Sequence, residues 1–130
     1  MMTTQQAKQE LMDYRHDAEE IRCRKEEIRK LESRLYGGTG GSLEEGVIAL
    51  VTLKEYYVSV VERLVKKRLS IEEKISYLPQ PYRNILYLYY LRNDSMIKIA
   101  ARLHYDCTYV SKLHTKALSL YAQTWAQQIA

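Results

Sequence analysis

Between Ile97 and Leu118 the chain reads IKIAARLHYDCTYVSKLHTKAL, and its polar residues admit three kinds of chemistry. His104, Cys107 and His114 carry metal-ligating atoms, with 107 and 114 two turns apart on a helix, but a structural zinc needs four ligands and no fourth lies nearby. Cys107 also carries a thiol, yet nothing in the sequence identifies the base and orienting group that would make it a nucleophile. The third possibility is nucleic-acid recognition. Ile97, Ile99, Ala100 and Leu103 recur at helical spacing, His104-Tyr105-Asp106 interrupts, and Val110, Leu113 and Ala117 resume the spacing. This pattern predicts a helix-turn-helix. The small Ala100 lets two helices cross closely, Tyr105 plugs the corner, and Val110 and Leu113 pin the second helix down. The outward face of that helix is then free for the DNA major groove, while the first helix crosses the backbone.

The rest of the chain must position such a unit. With 130 residues there is room for one domain, or one domain and an arm, but not for an elaborate enzyme. Glycine and proline are scarce, at 5 and 2, and 28% of residues are charged, which favours a helical protein over an all-β or disordered one. No apolar run is long enough to span a bilayer, and the start MMTTQQAKQE lacks a basic-then-apolar signal pattern. Cys23 and Cys107 form no closely spaced pair, so free thiols in a reducing, cytoplasmic setting are expected. The net charge is +4, and the whole excess falls within residues 79–130, which hold six basic against two acidic side chains. A basic face there attracts phosphate and makes affinity salt-dependent.

Before it, Gln5 to Tyr36 has the pattern of one long helix. Steps of four and three pass through Ala7, Leu11, Tyr14, Ala18, Ile21, Lys25, Ile28, Glu32 and Leu35, a heptad-type seam that Lys25 and Glu32 interrupt. Mixed Glu, Lys and Arg fill the other positions, as on a solvated face. Gly37-Gly38-Thr39-Gly40-Gly41-Ser42 ends the helix. It is a hairpin connection rather than a phosphate loop, since no strand precedes it and no Gly-Lys-Ser/Thr follows. Leu43 to Leu78 forms the second long helix through Leu43, Val47, Leu50, Lys54, Tyr57, Val61, Leu64, Arg68, Ile71, Ile75 and Leu78. Val58, Val60, Val61 and Val65 are β-branched and lower helix propensity, but length and spacing decide for helix. Each arm is expected to be on the order of 50 Å long. Val51, Val58 and Val65 add a second apolar stripe, which one partner helix cannot easily cover. An antiparallel hairpin is therefore expected, with a further contact either to another subunit, as a homodimer or higher oligomer through residues 5–78, or to the C-terminal module.

Pro79 and Pro81 mark the entry to that module, with Pro81 suited to the first turn of a new helix. The helix Tyr82 to Leu91 is hydrophobic nearly all round and should be the buried centre. Asn93-Asp94-Ser95 supplies a turn and an N-cap, and Asp106 caps the next helix. The tail beyond Tyr121 should continue that helix and pack Trp125 back on the core. The tyrosines at 77, 82, 87, 89 and 90 could stack single-stranded bases, but such clusters more commonly form core with hydroxyls at the rim. The expected fold is all-α: a coiled-coil-like antiparallel hairpin over residues 1–78, then a helix-turn-helix module over residues 79–130.

The segment Leu78-Pro79-Gln80-Pro81-Tyr82-Arg83-Asn84-Ile85-Leu86-Tyr87-Leu88-Tyr89-Tyr90, followed by Ile99-Ala100-Ala101-Arg102-Leu103 and by Val110, Leu113 and Ala117-Leu118, resembles region four of bacterial sigma factors. The Leu-Pro lead-in, the Arg four residues after the first proline and the aromatic helix end carry the likeness, which covers roughly residues 71–121. With two helices in front, the whole chain is similar in architecture to small phage and prophage regulators with a region-four-like end, a group that includes late-gene activators. The resemblance implies DNA base contacts from Cys107, Thr108, Ser111 and Lys112, and phosphate contacts from Arg83, Lys98, Arg102, Thr115 and Lys116. It also implies a possible contact with RNA polymerase.

The departures from that pattern matter. Cys107, Thr108 and Ser111 stand where sigma factors tend to place long polar or basic side chains, and they make at most single hydrogen bonds or touch a thymine methyl. Lys112 is then the foremost base-contacting residue. His104 occupies a turn position usually held by glycine and tolerates a left-handed conformation less well. One copy would bind weakly, so a dimer on half-sites about 34 Å apart is expected. No counterpart of the promoter-melting region is present, which points to a regulator rather than a complete sigma factor. Two other classes stay open: a phage DNA-packaging small subunit whose helical arms build a ring, and a polymerase-binding protein that never reads DNA. An enzyme is the class with least support, and no cofactor or metal is implied.

Overall fold

The structure is a computed structural model that describes the backbone of residues 2–36 and 43–129 and the side chains of residues 2–36 and 44–124. Every described element is helical: α1 (Thr4–Tyr36), α2 (Leu43–Ser76), α3 (Tyr82–Leu86) running on as a π-helical segment (Tyr87–Leu91), α4 (Met96–Leu103) and α5 (Cys107–Ile129). The all-α class expected from the spacing therefore holds. The turn assigned to Gly37-Ser42 and the packing assigned to Trp125 lie outside the described residues. A reciprocal capping box starts α1, in which Gln6 N–H donates to Thr3 Oγ1 at 3.1 Å and Thr3 N–H donates to Gln6 Oε1 at 2.8 Å.

The described chain forms two units, one of Met1–Arg15 with Lys67–Ala130 and the other of His16–Lys66. This differs from a division at residue 78, because the first turns of α1 and the last turns of α2 pack with the C-terminal helices. In the unit His16–Lys66 the two helices run antiparallel. Glu32 meets Lys54 at 2.6 Å, and the Tyr56 hydroxyl donates to Glu20 at 3.3 Å while Arg24 lies over its ring. Glu32 and Lys54 each interrupt the apolar spacing of their own helix, and the interruptions pair with each other. Gly46 accommodates Leu35, whose side chain fills the space that a Cβ on Gly46 would need. Along α1 the charges pair locally, as in Arg29 with Glu26 at 2.6 Å, three residues apart. Val51, Val58 and Val65 remain about half exposed, so this unit by itself does not cover the second stripe.

In the other unit, Ala7, Leu11 and Tyr14 of α1 and Ile71 and Ile75 of α2 are buried, as are Leu86, Leu118 and Tyr121. Polar contacts brace this core. Lys74, whose side chain is 7% exposed, reaches Glu10 at 3.0 Å and lies 5.4 Å from the Tyr121 ring centroid. Arg68, another break in the heptad pattern, bonds Glu72 at 2.8 Å and reaches the Tyr14 hydroxyl at 3.3 Å. Burial, and next the Glu10 carboxylate, keep the Tyr121 phenol protonated well above the ordinary range. The Arg15 guanidinium stacks 4.2 Å from the Tyr89 ring centroid and donates to Asn93 Oδ1.

The C-terminal helices join on a cluster of Ile85, Leu88, Ile99, Ala100, Val110 and Leu113, with Tyr82, Tyr89, Met96 and Leu103 at its edge. Several local features depart from expectation. The Tyr82–Leu91 segment is not buried all round, since Arg83, Asn84 and Tyr87 are exposed on one side, and its second half widens to π geometry with Arg92 N–H bonding Tyr87 O at 3.0 Å. Because Pro81 has no N–H or capping side chain, Gln80 acts instead, its Oε1 accepting from Asn84 N–H at 3.2 Å. Ile97 is 74% exposed rather than part of the inner face of α4. Tyr105 does not plug the corner. It lies at the surface against Tyr109, and Leu103 fills the inner side instead.

Both ends of α4 are set by residues with positive φ. Asn93 at 62° closes the preceding turn, and Ser95 then caps α4 by accepting from Lys98 N–H at 3.2 Å. At the other end His104 adopts φ 61°, ψ 38°, and the amide of Tyr105 returns to Ala100 O at 3.0 Å. A side chain costs energy in that left-handed conformation, which glycine adopts freely. His104→Gly should therefore raise the unfolding free energy by about 1 kcal/mol, read as a higher urea midpoint at unchanged m-value.

Candidate nucleic-acid interface

The inner face of α5 is made by Val110, Leu113, Ala117, Leu118 and Tyr121, all buried. At roughly 100° per residue the opposite face must carry Thr108, Lys112 and Thr115, with Ser111 on one flank and Tyr109 and Lys116 on the other, while Cys107 falls close to the direction of Leu118 at the helix start. All seven are exposed. Asp106 fixes where this face begins, because its Oδ1 accepts from Tyr109 N–H at 2.7 Å and anchors the first turn. Of the four residues assigned to base contact, Thr108 and Lys112 project furthest from the core. Cys107 presents a free thiol at the helix start.

The residues assigned to phosphate contact divide. Thr115 and Lys116 share the exposed side of α5, although the Thr115 hydroxyl donates back to Ser111 O at 3.2 Å, leaving it an acceptor. Lys98 and Arg102 lie one turn apart on the exposed side of α4. Lys98 is 3.7 Å from the buried Asp94 carboxylate, which offsets part of its charge. Among the described residues none of Arg102, Lys112 and Lys116 is held in an ion pair. Arg83 stands apart from the other eight. It is exposed on α3 and lines a cavity of about 370 Å³ with Glu72, Ile75, Gln80 and Tyr87, which has no residue of α4 or α5 in its lining.

Polar groups behind α5 hold it in place. The Tyr90 hydroxyl and His114 Nε2 are 2.6 Å apart, and Tyr89 packs edge-on to both rings. Burial pushes the Tyr90 phenol upward in pKa, and the neighbouring Tyr89 adds to this. Burial pushes His114 down to about 4, with a smaller contribution from the charge of Lys8. A neutral imidazole accepting from a phenol satisfies both groups at neutral pH. The His104, Cys107 and His114 side chains thus have separate settings: a left-handed turn residue, an exposed thiol and a ring engaged by Tyr90. The tyrosine cluster is likewise mixed, with Tyr90 buried, Tyr82 and Tyr89 half-buried, and Tyr77 and Tyr87 exposed.

Sequence reasoning passed over Tyr109. Its signal was the spacing of four from Tyr105, which puts two tyrosines side by side across the corner. Comparison of the chain with protein-family models, with curated proteins and with solved structures gives no match.

The partly buried His114 has a measurable consequence. In the unfolded chain it titrates near 6.5, and in the fold near 4. Above pH 6.5 both states are neutral there and the contribution to stability is complete. As pH falls towards 4, the unfolded chain takes up a proton that the folded chain refuses, and stability is lost. Unfolding free energy should drop by about 2 kcal/mol from this group across that window, allowing for its partial exposure. Urea titrations of His114→Phe should lack this component.

Proposed function

We propose that this protein is a sequence-specific double-stranded DNA-binding transcriptional regulator of the phage type, with the front of α5 entering the major groove. The observation that carries the reading is the α4–corner–α5 unit itself. Its inner face is closed on one apolar cluster, while Thr108, Ser111, Lys112, Thr115 and Lys116 of α5 and Lys98 and Arg102 of α4 stay exposed. On this reading Lys112 contacts a base edge, with Cys107, Thr108 and Ser111 giving single hydrogen bonds or methyl contacts, and Lys98, Arg102, Thr115 and Lys116 meet phosphates. Arg83 joins them only if the DNA path reaches the far side of α3.

The copies are proposed to pair through α2. Val51, Val58 and Val65 repeat every seven residues, as seam positions of a coiled coil do, and are exposed together with Val47. A second copy is the occupant that suits both this spacing and the need for two half-sites. Val58→Glu should abolish the dimer in sedimentation velocity while leaving the helical circular dichroism intact. A sedimentation coefficient that is monomeric in the wild type removes the pairing.

A second reading is favoured by the short side chains at 107, 108 and 111. In it the module contacts RNA polymerase and does not read DNA. The two separate in one experiment, a salt titration of binding to duplex fragments from the protein's own genomic neighbourhood. For a DNA reader, Lys112→Ala should weaken the preferred fragment by about tenfold, narrow its margin over other fragments and lower the salt slope by about 1. Absence of binding at low salt, with polymerase retained by the Lys112→Glu, Lys116→Glu double variant, sustains the second reading instead.

A further inference from the structure

The corner of the helix-turn-helix carries an aromatic pair that the core does not use. Tyr105 and Tyr109 are 38% and 46% exposed, with ring centroids 5.0 Å apart and planes at 84°. Two large rings in an edge-to-face contact at the surface expose apolar area without burying it against the cluster below. What the contact does is fix the Tyr109 ring. Its backbone is already held, because its N–H donates to Asp106 Oδ1 at 2.7 Å. Tyr105 follows the left-handed His104 and is tied back to Ala100 O at 3.0 Å, so the ring on which Tyr109 rests starts from a fixed turn.

Tyr109, Lys112 and Lys116 follow one another at steps of three and four, which places Tyr109 and Lys116 along one flank of α5 with Lys112 between them towards the front. Lys112 and Lys116 are exposed and, among the described residues, free of ion pairs. A phosphate strand that meets Lys116 while Lys112 reaches a base edge therefore passes the phenol as well. A phenol is a good donor to a phosphate oxygen, and one whose ring is already held loses little freedom on making the bond. Stacking on a base is not the use the position suits, since ring faces inside a duplex are covered by their neighbours.

We propose that Tyr109, seated on Tyr105, is a further DNA-contacting residue whose hydroxyl donates to a backbone phosphate at the edge of the major groove and so sets the register of α5. This rests on the DNA-binding reading. Tyr109 is thus a positioning contact for Thr108 and Lys112, and its contribution is the same for every sequence.

The test is binding of wild type, Tyr109→Phe and Lys116→Ala to the preferred genomic duplex and to a scrambled duplex over a range of salt. Tyr109→Phe keeps the ring against Tyr105, so the corner is retained. It should weaken both duplexes equally, by roughly tenfold, and leave the salt slope unchanged, because a neutral hydroxyl releases no counterion. Lys116→Ala should lower the slope by about 1. Wild-type affinity for both duplexes in Tyr109→Phe overturns the inference while the DNA reading stands. So does a loss confined to the preferred duplex, which would make Tyr109 a base reader. Failure of the wild type to bind either duplex at low salt overturns the DNA reading, and this inference with it.

Discussion

The close crossing of α4 over α5 is the constraint on which the C-terminal module depends. Ala100 presents almost no side chain in the cluster it shares with Val110 and Leu113, and Ile85 and Leu88 complete that cluster. A larger residue at 100 would drive the helices apart and turn the outward face of α5 with them, since a packed core responds to added volume by shifting backbone. The two turns around α4 serve the same end. Asn93 and His104 both hold positive φ, so α4 is bounded on each side by a residue with little freedom to drift. The resulting face of α5 is defined by packing beneath it, and its exposed side chains are free to be selected for contact alone.

That packing is not closed by the C-terminal helices alone. Tyr121 in the second half of α5 is fully buried, and its neighbours include Glu10 and Lys74 from the two long helices. A charge pair so little exposed is weak evidence of net stability, because desolvation offsets much of the attraction. Its value is specificity of position: a lysine with a 7% exposed side chain must find its carboxylate, which fixes the register of α1 against α2 at this end. Arg15 does the same at the neighbouring turn, spanning Tyr89 and Asn93. The first 15 residues therefore belong structurally with residues more than fifty positions away.

Much of this was legible in the chain, and the exceptions share a cause. The helix-turn-helix could be read because Ile99, Ala100, Val110, Leu113 and Ala117 repeat at a local period, and both caps, Ser95 and Asp106, sit within a few residues of the turns they close. The unit boundary could not, because it depends on which turns of α1 and α2 meet α5, a long-range fact with no local signature. Glu32 and Lys54 looked like flaws in their seams for the same reason. Each is polar at an apolar position until the hairpin brings them within 2.6 Å. Tyr105 misled in the opposite direction. Aromatic residues are usually buried, but Leu103 already fills the inner corner, and the partner that holds Tyr105 is another exposed ring. The nine residues assigned to DNA were legible as exposed positions, and the structure brings eight onto α4 and α5 while leaving Arg83 on α3.

The chemistry of the α5 front then bears on how the proposed regulator must work. Of the side chains that can make a bidentate contact to a base, Arg, Lys, Asn and Gln, positions 107, 108, 111, 112, 115 and 116 hold only lysine, at 112 and 116. Discrimination per copy is therefore limited to single hydrogen bonds, a methyl contact and one lysine. Phosphate contacts add affinity without adding choice, so strengthening them alone would bind the regulator everywhere. The remaining route to selectivity is to add the small preferences of two copies held at a fixed spacing, which multiplies their ratios. That route requires a pairing surface on elements other than α4 and α5. The half-exposed valines of α2, repeating every seven residues, are where the chain offers one.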